Sequence, residues 1–331
     1  MRTHALGRGG VPVTALGLGT AALGNLYTPV RDDEAYDAVD AAWDAGIRYF
    51  DTAPHYGLGL AERRLGEYLR GRPTTSYTLS TKVGRLLEPH DGRGDDRKNG
   101  FAVPASHRRV WDFGAAGVRR SIEDSLGRLG LDRIDVVYLH DPDDHAEQAF
   151  REAYPELERL RGEGLVDAIG AGMNQARMLT RFVRDTDVDV VLCAGRYSLL
   201  DQRALPDLLP EAAAHGVPVV IGGVYNSGLL ADPRQGATFD YALAAPSVVE
   251  RALKFRKLAE RHGISLRAAA LAFPFGHPAV TGVLVGPRSV AEVLDAAEQF
   301  ATPVPPEFWA EARARNLLAA DVPTPEPEES A

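Results

Sequence analysis

Eight times along this chain a short β-rich run gives way to a longer segment with apolar residues at helical spacing, and this alternation constrains the fold most. The strand-like runs are residues 15–19, 47–50, 77–81, 134–139, 166–170, 188–192, 217–221 and 280–285. Helical segments follow at 32–45, 60–70, 114–129, 146–161, 175–184, 204–215, 247–262 and 289–300, with an additional one at 265–275. Strands and helices in this order give parallel strands joined by right-handed crossovers. Eight is the number at which a closed barrel is filled by its own side chains, so the expectation is an α/β fold of the (β/α)8 TIM-barrel type. The competing architecture is an open, doubly wound sheet. Against it, the turn Gly17-Leu18-Gly19-Thr20-Ala21 lacks the third glycine and the helix onset of a dinucleotide fingerprint.

Such barrels run to about 250 residues or more as one domain, so residues 1–318 read as a single unit. Residues 319–331, rich in Pro and Glu, read as a mobile acidic tail. Residues 2–13 carry a Gly9-Gly10 turn signal and predict a hairpin across the barrel bottom. A net charge of −9 argues against a nucleic-acid partner, which would need clustered Lys and Arg in excess. No apolar run is long enough to span a bilayer, and residues 1–10 lack the apolar core of a signal peptide. A single cysteine, Cys193, sits in an apolar run and reads as a buried structural thiol in a reducing compartment. A cytoplasmic protein acting on a small molecule is expected; its oligomeric state is not legible.

Two connections exceed the usual 2 to 6 residues or so: residues 85–113 after the third strand and 223–246 after the seventh. Both leave carboxyl ends of strands, the face on which barrel enzymes build their sites. On that rim the chain places Asp51 and Tyr56 in the loop Asp51-Thr52-Ala53-Pro54-His55-Tyr56-Gly57, Lys82 after the third strand and His140 after the fourth. A phenol is a weak acid at neutral pH, with an ordinary pKa of about 10, so it needs a neighbour to become a proton carrier. Lys82 beside it would favour the phenolate, and Asp51 would hold Lys82 charged. His140 would donate to a substrate oxygen. Each residue alone reads as a rim group; together they read as a site for proton transfer.

These pieces resemble the aldo-keto reductases. The resemblance rests on Gly46-Ile47-Arg48-Tyr49-Phe50-Asp51-Thr52-Ala53 with Tyr56-Gly57, on Ser80-Thr81-Lys82-Val83, on Ser121 to Leu129 followed by Asp135-Val136-Val137-Tyr138-Leu139-His140, and on Gly286-Pro287-Arg288-Ser289. It implies a tetrad of Asp51, Tyr56, Lys82 and His140 and a bound nicotinamide nucleotide that carries the hydride. No metal is implied. His90 and His145 lie in acidic stretches, yet these read more simply as a strand end and a helix-capping turn.

The resemblance further implies cofactor contacts from Gly19, Thr20 and Ala21, from Asp51, and from the segment Gly286, Arg288, Ser289 and Glu292, where a helix start suits a phosphate. Asn174 is the candidate for the carboxamide, with Ala194 where the family commonly has Gln. Gly222 stands where an aromatic ring usually stacks on the nicotinamide, and Tyr225 is an alternative ring. A carboxylate at Glu292 would accept from ribose hydroxyls and repel a 2′-phosphate, so NAD is expected over NADP, although Arg288 is a counter-candidate for that phosphate. The branch most resembled oxidises free aldoses at C1, of the L-fucose, D-threo-aldose or L-galactose type. It implies Tyr56 as general base, a lactone product and substrate contacts from His140, Trp111 and Asp112. The alternatives are a pyridoxal-type or aromatic aldehyde as substrate, or a non-catalytic nucleotide-sensing subunit.

Overall fold

In a computed structural model that describes residues 1–240 and 242–326, the eight strands close into a parallel barrel. Its strands in order around the ring are β3 (Leu16–Gly19), β4 (Tyr49–Asp51), β5 (Thr78–Val83), β8 (Val136–His140), β9 (Ala168–Met173), β10 (Val190–Ala194), β11 (Val219–Gly222) and β14 (Val280–Val285), which returns to β3. Helices α1 (Asp32–Asp44), α2 (Leu60–Leu69), α3 (Ala115–Leu129), α6 (Ala176–Asp185), α7 (Leu208–His215), α8 (Pro246–Arg261), α9 (Leu266–Ala272) and α10 (Val290–Ala301) make the outer layer. After β8 a short α4 (Ala146–Gln148) runs through a π-helical turn into α5 (Tyr154–Gly162).

The period-2 alternation of strands sorts every residue to one of two cores. Phe50, Leu79, Val137, Leu139 and Ile169 face outward and pack under the helices. Tyr49, Val136, Tyr138, Ala168, Val190, Leu192, Val220 and Leu284 face inward and fill the barrel. The expected hairpin is there: β1 (Thr3–Leu6) pairs antiparallel with β2 (Val11–Thr14). Its Leu6, Val11 and Val13 join the inner cluster and plug the barrel bottom, each contributing about 1.5–3 kcal/mol of burial free energy.

Several boundaries differ from the sequence expectation for identifiable reasons. The helix expected from residue 204 begins at Leu208, because Pro206 steers the preceding residue away from helical backbone. The segment expected as helix to 275 tightens into a 3-10 turn at Phe273–Gly276, where Pro274 interrupts the α ladder. A helix missed by sequence reading, α11 (Pro306–Ala314), starts on a proline at its first turn and buries Phe308 and Trp309. The tail expected to be free from residue 319 instead runs back onto the barrel. Arg313 Nη2 donates to Val322 O (3.0 Å) and Thr324 Oγ1 (2.8 Å), and Val322 is buried. Residues 327–331 of that expected tail lie outside the described residues.

Both long connections carry structure of their own. Residues 85–113 form a β-hairpin, with β6 (Arg85–Pro89) paired antiparallel to β7 (His107–Trp111) so that Arg85 lies opposite Trp111. Gly84 makes the turn into it at φ +103, a backbone region that side chains rarely adopt, and a Cβ there would strike the Phe113 ring. Residues 223–246 hold a two-residue ladder, β12 (Thr238–Phe239) with β13 (Ala242–Leu243), and Arg196 Nη2 pairs with Asp240 beneath it. No helix among the described residues is long and apolar enough to cross a membrane.

Candidate active site

The same period-2 rule that fills the barrel delivers the polar groups to its upper mouth. Tyr49 and Asp51 alternate inward on β4, Ser80 and Lys82 on β5, and Val136, Tyr138 and His140 on β8. The register sets these side chains in two tiers. The lower tier is a hydroxyl chain: Ser80 Oγ lies 3.3 Å from Tyr49 Oη, which lies 3.0 Å from Tyr138 Oη. The upper tier is ionic. Lys82 Nζ donates to Asp51 Oδ2 (2.6 Å) and to Thr52 O (2.9 Å), and Ser80 Oγ donates to the other Asp51 oxygen (2.7 Å).

Lys82 is fully enclosed, its side chain 2% exposed. Burial works against its charge. The charges of Asp51 and Tyr56 and a hydrogen bond to each outweigh burial and hold the ammonium above the ordinary lysine pKa. A permanently charged donor therefore sits against the phenol. The Tyr56 ring stands nearly perpendicular to the His140 ring, centroids 5.9 Å apart. Burial, with Arg85 and Lys82 close by, pushes His140 well below the ordinary histidine pKa, so it is a neutral imidazole. Its Nδ1 is buried without a partner among the described residues, while its Nε2 lies 3.7 Å from Asp141 Oδ2.

The loop that carries Tyr56 is held at its base by backbone contact. A Cβ on Gly24 would meet the Tyr56 carbonyl carbon at 2.7 Å, and one on Gly57 would meet Gly24 O at 2.2 Å, so only two glycines permit the approach. Thr20 braces the same loop, donating from its amide (2.9 Å) and its hydroxyl (3.0 Å) to Asp51 O. From above, Arg109 Nε donates to His55 Nδ1 (2.5 Å), and Arg109 is itself held by a bidentate pair with buried Asp96.

The structure thus brings Asp51, Tyr56, Lys82 and His140 together at one mouth. Among the other expected residues the outcome divides. Trp111 reaches the rim, 43% exposed, with the Arg85 guanidinium 4.4 Å from its ring centroid. Asp112 turns away: its Oδ1 accepts from Gly114 N at the start of α3 (2.9 Å). Most other charges of the hairpin loop are engaged with one another, Asp91 with Arg93, Asp95 with Arg97, and Asp96 with Asn99 and Arg109. Tyr225 packs against the core with its hydroxyl buried, which removes it as a ring for stacking at the mouth.

The residues expected to hold a nucleotide are arranged in a way that fits one. Gly19, Asn174 and Gly222 lie at or just past the carboxyl ends of β3, β9 and β11 on the tetrad's side of the barrel, and Ala21 follows in the turn after β3. Gly286 lies beside Gly19, a Cβ on it falling 3.6 Å from Gly19 O, in ordinary van der Waals contact. Ser289 caps α10, accepting from Glu292 N (3.3 Å). Glu292 reaches back to accept from Arg288 N (2.8 Å) and Arg288 Nη2 (3.0 Å). Beside this helix start is a cleft of about 420 Å³ lined by Arg288, Ser289 and Glu292 and by Glu34 and Asp37 of α1. Among the described residues no group of three or more His, Cys, Asp and Glu side chains is placed to hold a metal ion.

Arg85, Asp141 and His55 also line or brace the mouth and were not singled out from sequence. The signal was present for two of them: Arg85 lies three residues beyond Lys82 and Asp141 directly follows His140, both at strand ends on the functional rim.

The mouth of the barrel thus holds a Lys–Asp pair against a tyrosine, with a neutral histidine beside it, groups able to move a proton. Residues 15–316 match the Aldo/keto reductase family, and the chain belongs to it. It is 44% identical to a D-threo-aldose 1-dehydrogenase from a Pseudomonas species, over 96% of this chain and 97% of the relative. It is 39% identical to a pyridoxal 4-dehydrogenase of Microbacterium luteolum, over 96% and 98%. Among solved structures, the holo form of an aldo-keto reductase from Bacillus halodurans superposes with a TM-score of 0.76 at 26% identity, covering 97% of this chain and 98% of that one.

Proposed function

We propose that the chain is an NAD-dependent dehydrogenase that oxidises a free aldose at C1 to a lactone. The observation that carries the reading is the Lys82 ammonium, hydrogen-bonded to Asp51 and Tyr56 beside a neutral His140. The nicotinamide nucleotide, when bound along Gly19, Asn174, Gly222 and the Arg288–Glu292 helix start, supplies the hydride acceptor. The chain's own residues do the rest. Tyr56 accepts the proton of the anomeric hydroxyl, stabilised as phenolate by Lys82. Asp51 keeps Lys82 charged and aimed. His140, neutral, offers an N–H to the reacting oxygen and fixes which face of the substrate is presented.

The aldose is supported by the 44% identity to a relative named for that activity and by the Trp111 ring at the mouth, on which a sugar face can lie. A panel of aldoses assayed with NAD is expected to give turnover of at least one L-fucose-like or D-threo sugar, with lactone as product. Turnover of pyridoxal or aromatic aldehydes alone would replace the aldose reading with the second one, which the 39% relative favours.

Cofactor preference follows from the cleft beside α10. Arg288 is already paired with Glu292, and Glu34 and Asp37 add two more carboxylates. A 2′-phosphate would meet acidic side chains, and like charges brought together are strongly unfavourable. We expect kcat/KM with NAD to exceed that with NADP by about tenfold or more, and Glu292→Gln to narrow the gap. A preference for NADP in the unmodified protein would sink the assignment.

A further inference from the structure

We propose that Arg85 and Asp141 form a specificity-determining pair that binds the hydroxyl on the carbon next to the reacting one. The inference rests on the aldose reading and names the groups that would make it selective.

The pair is built into the rim. Arg85 begins β6 directly over β5, and its side chain is nine-tenths buried and stacked on Trp111. Arg85 Nη2 donates to Asp141 Oδ2. Arg85 Nε is buried and has no hydrogen-bond partner among the described residues. Asp141 holds its place through backbone that side chains seldom adopt, φ 44, with its amide donating to Gly172 O (3.1 Å). A non-glycine residue in that conformation costs free energy that the surrounding contacts must offset, and such strain clusters where side chains are aimed for function. Asp141 Oδ2 also faces His140 Nε2 at 3.7 Å. The pair therefore adjoins the atom that would hold the reacting oxygen.

The chemistry narrows the ligand. An isolated buried arginine would call for an anionic substrate, but here Asp141 already balances the charge, so a carboxylate or phosphate gains little. The two groups together still offer a donor and an acceptor side by side, which is what a hydroxyl, both donor and acceptor, can use. Vicinal oxygens of a sugar lie about one hydrogen-bond length apart. An oxygen at His140 Nε2 thus places its neighbour beside Asp141 and Arg85. Trp111, itself packed against His145 and Phe113, holds the guanidinium in place from across its ring.

The test compares the best aldose of the panel with its 2-deoxy analogue on the unmodified protein, on Asp141→Asn and on Arg85→Lys. Taking the ratio of kcat/KM for the two sugars on one preparation cancels any loss of folded protein. The unmodified protein should favour the hydroxylated sugar by about 10–100-fold, as expected for one hydrogen bond to a charged group. Both variants should bring that ratio close to one, and Asp141→Glu should restore part of it. Aldose turnover with no discrimination in the unmodified protein, or with discrimination surviving in both variants, overturns the pair and leaves the aldose reading intact. No turnover of any aldose overturns the aldose reading and the pair with it.

Discussion

Replacing Tyr56 with Phe is expected to lower kcat/KM by about 10²–10⁴-fold, the range that a positioned proton carrier supplies. The change removes one oxygen and leaves the packing in place. Lys82 keeps Asp51 Oδ2 and Thr52 O as acceptors, so its charge stays paired, and the ring keeps its contacts with His140 and Phe101. The melting temperature should therefore hold. Binding of NAD, followed by quenching of protein fluorescence, should hold as well, because no expected nucleotide contact passes through the phenol. That combination separates a lost proton transfer from a lost fold. Full activity in Tyr56→Phe would remove the phenol from the mechanism and favour a nucleotide-sensing role, for which turnover is incidental.

Three of the four residues at the mouth were readable in the sequence because their positions obey a rule that needs no tertiary knowledge. Asp51 and His140 end their strands and Lys82 falls one residue short, and the strand period puts all three on the inner face with Tyr49, Ser80 and Tyr138. The barrel was readable for a similar reason, since eight β-rich runs each precede a helical segment and admit few topologies. What escaped depended on pairings across long separations. The β6–β7 ladder joins Arg85 to Trp111 through a stretch whose Gly, Asp and Arg read as a solvated loop. Within it the structure pairs Asp96 with Arg109 and Asp95 with Arg97. Asp112, expected at the substrate, engages the start of α3 because an aspartate two residues before the residue that caps a helix has a competing partner in the free N–H groups there. Helix α11 was missed although a proline in the first helical turn, as Pro306 is here, suits a helix start. The tail differs from expectation through one arginine, Arg313, whose hydrogen bonds no composition reveals.

Lowering the pH from about 6.5 to 4.5 is expected to remove roughly 2–3 kcal/mol of folding stability through His55 at the mouth, at about 1.4 kcal/mol per pH unit, with His140 adding to the loss in the same direction. Burial, with Arg85, Arg109 and Lys82 adding positive charge, depresses His55 to about 2, and the same surroundings hold His140 well below its ordinary value. In the unfolded chain both titrate near 6.5. Above that pH both states carry neutral imidazoles and the contribution is level. Below it the unfolded chain takes up two protons that the folded chain refuses, so stability declines as pH falls. The geometry enforces the refusal: Arg109 Nε donates to His55 Nδ1, which must stay unprotonated to accept, and the two rings pack edge to face with centroids 5.7 Å apart. Urea unfolding across the window would give the slope, and the double variant His55→Gln and His140→Gln, which keeps an acceptor for Arg109, should flatten most of it. An unchanged slope in that variant would place the acid sensitivity elsewhere, and the neutral His140 on which the proposed proton transfer relies would lose its support.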